Sequence, residues 1–167
     1  RVLFRSLGDE QTFSDIMKEA IEQDPNNPAL YYNLGIVSRN NGNFEDAESY
    51  YKMSIDVDPS YLNSYYNLIE LKISSTNSFR EEIGDLGFSK EDETKFNQLN
   101  DKIKQAYRDT IPLLEYVISV NNDELDIKQL INIYNALEMY EESAKLKELL
   151  PVRSEEHTSE LQSPDHL

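Results

Sequence analysis

The chain has 167 residues, with 32 acidic against 16 basic side chains, a formal net charge of −16, and neither cysteine nor tryptophan. That length suffices for one domain whose core needs no disulfide or structural metal, and the lack of thiols fits an oxidising or a reducing compartment equally. So acidic a surface repels a phosphate backbone, which argues against nucleic-acid binding, and no run of about 18 apolar residues is present to span a membrane.

The two ends are read separately from the rest. RVLFRS (1–6) and RSEEHTSELQSPDHL (153–167) resemble translated sequencing-library adapter and are set aside as artefacts of the reading frame. A natural disordered tail is the alternative for 153–167, whose composition is polar. Both histidines, His157 and His166, fall in that end, so residues 7–152 contain no His, Cys or Trp.

In residues 7–25, Phe13, Met17, Ala20 and Ile21 recur at helical spacing, which predicts the second helix of a pair whose first helix is missing. The natural protein is therefore expected to continue further in the N-terminal direction. Residues 26–59 read as a complete helix pair. Asn27 is placed to cap a helix that starts at Pro28, where a missing N–H costs nothing. Asn41-Gly42 makes the turn, Asn43 with Asp46 suggests a cap for the second helix, and Pro25 and Pro59 are stop signals. Gly35 and Ala47 are small where two helices would cross, leaving Tyr31, Leu34 and Tyr51 to close over the contact.

AIEQDPNNPALYYNL (20–34) aligns with SIDVDPSYLNSYYNL (54–68) at a shift of 34 residues, so Ile21, Asp24, Pro25, Tyr31, Tyr32, Asn33 and Leu34 recur as Ile55, Asp58, Pro59, Tyr65, Tyr66, Asn67 and Leu68. The second unit (60–121) opens well with YYNLIELKI and then departs from the pattern. Its polar, glycine-containing stretch 74–90 is predicted to be an inserted loop. Ser89 with Asp92 forms a capping-box signature ahead of a long helix carrying Phe96, Leu99, Ile103, Tyr107, Ile111 and Leu114. Pro112 is predicted to kink or divide that helix near Thr110. Residues 122–152 read as a third, degenerate pair, with Ile127, Leu130, Ile131 and Tyr134 on one face and Tyr140, Ala144 and Leu146 beginning the other; Glu138 stands where the turn Gly would be.

A 34-residue period with two helices per period resembles the tetratricopeptide repeat. Tyr31 stands for the family's Trp, Leu34-Gly35 for its Leu-Gly pair, Ala47 and Tyr51 for its Ala-x3-Phe, and Pro59 for its closing proline; Ser38 replaces the Tyr expected three residues after the Gly. An expanded second unit before a degenerate third resembles an arrangement in tetratricopeptide proteins of bacteria. The resemblance implies an all-α fold, an α-solenoid of antiparallel helix pairs wound into a right-handed superhelix, whose first helices line a concave face. The residues placed on that face are Tyr32, Asn33, Ile36, Arg39, Tyr66, Asn67, Glu70, Lys128, Gln129 and Asn132. Asn33 and Asn67, one repeat apart, are suited to hold a peptide backbone, because an amide both donates and accepts, and Tyr32 and Tyr66 add amphipathic contact area. Relatives that bind heat-shock chaperone tails use Lys and Asn where Tyr32 and Ile36 stand here, which argues against that partner. Tyr31, Tyr51 and Tyr65 are expected in the core.

Residues 7–152 supply no imidazole or thiol for nucleophilic catalysis and no nitrogen or sulfur ligand for zinc. Gly84 and Gly87 lack the Lys-Ser or Lys-Thr of a phosphate-binding loop. The expected function is a non-catalytic interaction module that binds a protein or extended peptide, with no cofactor. The alternative is the regulatory or targeting arm of a larger enzyme whose catalytic part lies upstream. Cytoplasm and bacterial periplasm both fit.

Overall fold

Capping residues and a repeated exchange of small for large side chains set the helices of this chain. The structure is a computed structural model that describes residues 7–151. The expectations for 1–6 and 153–167 fall outside the described residues. Among the described residues seven helices follow one another: α1 (Leu7–Gln23), α2 (Pro28–Asn40), α3 (Phe44–Val57), α4 (Leu62–Gly84), α5 (Lys90–Asn121), α6 (Glu124–Ala136) and α7 (Tyr140–Lys147). Each helix packs chiefly on the one before and the one after it in the chain. That is the pattern of an α-solenoid of antiparallel helix pairs.

The α2–α3 pair shows why the sequence folds this way. The Asn27 side chain accepts from the Ala29 N–H at 3.1 Å, satisfying one donor of the first turn, and Pro28 follows it. Gly42 takes φ +78°, the left-handed geometry that glycine adopts without a Cβ penalty. Across the crossing, a Cβ on Gly35 would lie no farther than 3.0 Å from three ring carbons of Tyr51, so only glycine lets the two helices meet here. Ser54 donates to the Pro28 carbonyl at 2.8 Å and accepts from Ser64 at 2.7 Å, tying α2, α3 and α4 through buried hydroxyls. Asn43 makes no side-chain cap; its backbone N–H donates instead to the Ser38 carbonyl at 2.8 Å, which corrects the expected cap pair with Asp46.

The stretch predicted to be a loop over 74–90 is mostly helix, since α4 runs unbroken to Gly84 and only 85–89 connects it to α5. Ser74, Ser75 and Thr76 turn their hydroxyls back on the carbonyls of Leu71, Lys72 and Ile73, so their polarity is met within the helix. Ile73, Phe79 and Ile83 pack on the core at helical spacing along the same stretch. The box at Ser89 is present: the Asp92 N–H donates to Ser89 Oγ at 3.1 Å and the Ser89 N–H to Asp92 Oδ2 at 3.0 Å. Pro112 does not divide α5, which is one helix of 32 residues. Thr110, Leu114 and Val117, fully buried on either side of the proline, hold the helix against its neighbours.

In the last pair Asp123 caps α6 by accepting from the Leu125 N–H at 2.8 Å and the Asp126 N–H at 3.3 Å. Glu138 takes φ +61° at the place where Gly42 turns the first pair. The inner face of α7 is Ser143, 1% exposed, with Leu146 behind it, whereas Tyr140 is 64% exposed and Ala144 is also exposed. The register is thus one residue earlier than expected, because the small residue at the helix crossing is Ser143, the counterpart of Ala47. The buried side chains form two clusters, one around α4, α5 and α6 and one around Ala47, Tyr51, Leu68 and Leu71. Ile55 and Leu113 pack against both and make the core continuous.

Candidate functional site

The first helices α2, α4 and α6 are joined side chain to side chain by polar residues. Arg39 of α2 reaches α4 twice, donating to Glu70 Oε2 at 2.8 Å and to Asn67 Oδ1 at 3.3 Å. Asn67 gives its amide N–H groups to the Asn63 carbonyl at 3.0 Å and the Tyr32 hydroxyl at 3.4 Å. The hydrogen bond to Glu70 raises the Arg39 pKa above its ordinary value against the opposing effect of burial, so the guanidinium stays charged. Farther along, Tyr66 donates to Asp126 Oδ2 on α6 at 2.9 Å and accepts from Asn121 at 3.1 Å. Burial, with the Asp126 bond added, pushes the Tyr66 hydroxyl upward despite the Asn121 donor, so it stays protonated and donating.

The structure therefore brings Tyr32, Arg39, Asn67 and Glu70 into one hydrogen-bonded group and places Tyr66 in a second, between α4 and α6. Lys128 lies outside both, ion-paired with Glu124 on its own helix. Ile36 packs beside Tyr32 on the cluster that holds Tyr51. Asn33, Gln129 and Asn132 make no side-chain hydrogen bond among the described residues. Asn33 and Asn67 are thus not equivalent: one amide is committed within the chain and the other is not. Sequence reading missed Asp126 and Asn121, and their partnership with Tyr66 depends on how α4 lies beside α6, which no local spacing encodes.

Beneath this surface the Tyr51 ring is 0% exposed and its hydroxyl has no hydrogen-bond partner among the described residues. Burial pushes its pKa up to about 12. Tyr32 packs above it, with ring centroids 6.1 Å apart, and meets Tyr61 edge-on at 5.6 Å.

A cleft of about 620 Å³ lies between α3, α4 and α5. Its central cation, Lys72, is 11% exposed and held between Glu48 at 3.0 Å and Asp109 at 3.5 Å. Burial pushes the Glu48 carboxyl up, but hydrogen bonds from Lys52 and Lys72 outweigh it and leave the group below its ordinary range. The charges of Lys72, Glu48 and Asp109 are therefore already paired with one another. Among the described residues no group of three or more His, Cys, Asp or Glu could hold a metal ion, and no helix is long and apolar enough to cross a membrane. What the lining offers chemically is amides, phenols and one fixed ion pair: hydrogen bonding and contact area.

Helix pairs stacked in chain order, with a polar lining shared between successive first helices, define a helical repeat protein. The model of the tetratricopeptide repeat matches residues 16–49, which include the whole of α2. That stretch of the chain thus carries a tetratricopeptide repeat. It is 32% identical over 89 residues to the photosystem I assembly protein Ycf3 of Rippkaea orientalis, a match covering 53% of this chain and 49% of that protein. It is 37% identical over 49 residues to Ycf3 of Acaryochloris marina, covering 29% and 30% respectively. The chain thus spans half or less of the length of these relatives. Two solved structures of MamA are also similar: one at 19% identity with a TM-score of 0.37 over 85% of this chain and 81% of that one, the other at 18% with a TM-score of 0.35 over 88% and 94%.

Proposed function

We propose that this chain is a non-catalytic interaction module that holds an extended segment of a partner protein across the row formed by α2, α4 and α6. The observation that carries this reading is the contrast among the amides. Asn67 is fixed by Arg39, Tyr32 and Asn63, while Asn33 on one side and Gln129 and Asn132 on the other have no partner within the described residues. A rigid centre flanked by uncommitted amides suits a peptide backbone, which presents a donor and an acceptor at each residue. Tyr32 supplies contact area at low entropy cost. The relatives are named for the assembly of photosystem I, and holding a protein while a larger complex is built is the form of partner binding that their names support here. The net charge of −16 favours neutral or basic segments over acidic ones along this row.

Peptides selected from a random displayed library on the immobilised chain provide the ligand for the test. Asn33→Ala combined with Gln129→Ala is expected to weaken a selected peptide roughly tenfold, at about 1 kcal/mol or less per hydrogen bond lost, with the helical circular dichroism unchanged. Undiminished affinity in the double variant would remove the row as the binding surface.

A further inference from the structure

The helical stretch after Ser74 carries α4 past the end of α6, and it carries a charge with it. Arg80 follows Tyr66 by 14 residues, about four turns along α4 and close to the same stripe. Arg80 and Ile83 of α4, Asn100, Lys104 and Tyr107 of α5, and Ala136, the last residue of α6, line a cleft of about 290 Å³. The two cations in it are not neutralised. Arg80 donates through Nη1 to Thr76 Oγ1 at 3.1 Å and Asn77 Oδ1 at 3.4 Å, and through Nη2 to the Tyr107 hydroxyl. All three acceptors are uncharged. Lys104 is exposed and forms no ion pair among the described residues. Arg39, Lys52, Lys72, Lys95 and Lys128 each have a carboxylate partner, while Lys90, Lys102, Arg108, Lys145 and Lys147 have none among the described residues; what sets Arg80 and Lys104 apart is that they line one cleft together.

We infer that this cleft is a binding site for an oxyanion, a carboxylate or phosphate group carried on a side chain of a partner protein. Arg80 is held in place before any ligand arrives, by its three hydrogen bonds and by the Tyr107 ring, whose centroid is 5.6 Å from the guanidinium carbon. A guanidinium has five N–H donors, so donors remain for an oxyanion, and little side-chain entropy is lost in using them. Lys104 adds a second charge from α5. Asn100 spends one amide N–H on the Phe96 carbonyl at 3.1 Å and keeps the other. At this volume the cleft suits a single charged group rather than a whole cofactor. The acidic surface opposes a free anion at long range, so a group delivered on a docked protein is favoured over one arriving alone.

The site does not rest on the row of amides proposed above, and its test touches none of them. Inorganic phosphate and acetate are titrated separately into isotopically labelled protein at matched ionic strength, with chloride as the control, while the Arg80 Nε–H and Asn100 side-chain resonances are followed. Saturable shifts with phosphate or acetate but not chloride are expected, and Lys104→Gln should weaken them at least about threefold without moving the thermal midpoint. Arg80→Gln should abolish them. Tighter phosphate binding assigns the site to a phosphorylated side chain, and tighter acetate binding to Asp or Glu. Shifts that grow linearly and equally with chloride, or affinity unchanged in Lys104→Gln, would overturn the inference. If Arg80→Gln fails to fold, the Lys104 variant decides alone.

Discussion

The ring of Tyr51 fills the space that a side chain at position 35 would need, and that one steric fact fixes how closely α2 and α3 approach. Gly35→Ala is expected to destabilise the protein by about 1–3 kcal/mol, the usual cost of overpacking, as a lower urea midpoint with an unchanged slope. An unchanged midpoint would mean that the crossing has room to relax. Residues of this kind were legible from spacing alone, because Tyr31, Leu34, Gly35, Ala47 and Tyr51 act on neighbours one helix away. Asp126 was not. It is a buried carboxylate, 8% exposed, satisfied by Tyr66 from 60 positions upstream, and nothing near it in sequence distinguishes it from the solvated acids around it.

Polarity misled at the level of the helix. Residues 74–84 carry serines, an asparagine and charges, the composition of a loop, yet they form the last turns of α4. Three hydroxyls satisfied by carbonyls one turn back, and Ile73, Phe79 and Ile83 kept at helical spacing, outweigh a weak intrinsic preference once α5 is there to pack against. Tertiary packing also explains why Pro112 does not divide α5. Without an N–H it leaves the Arg108 carbonyl short of its usual donor, and its own ring is exposed. Pro112→Ala restores that bond and removes no core contact, so it is expected to stabilise the fold by about 1–2 kcal/mol after allowing for the looser unfolded chain. Calorimetry checks it, and a lower thermal midpoint would show that the ring contributes packing.

For the molecule taken whole, tyrosine burial predicts weakness to alkali. Burial raises the hydroxyls of Tyr51, to about 12, and of Tyr65, Tyr66 and Tyr134, the last helped by its bond to Glu115 at 2.7 Å. Each is raised in the folded state, so its contribution is complete below the unfolded pKa near 10 and declines as pH rises toward the folded value. The urea midpoint should therefore fall between about pH 10 and 12, and the fall should be shallower in Tyr51→Phe. Equal slopes in the two proteins would exclude Tyr51 as a source. The packing order of the helices bears on something else, the making of the protein. Since α1 to α7 meet chiefly in the order in which they are translated, each hairpin has its partner surface ready as it leaves the ribosome, and closure waits on no distant segment. Detachment has the opposite sense. It proceeds from helices with a single packed neighbour, and α7, eight residues long and joined mainly to α6, buries only Ser143 of its own residues.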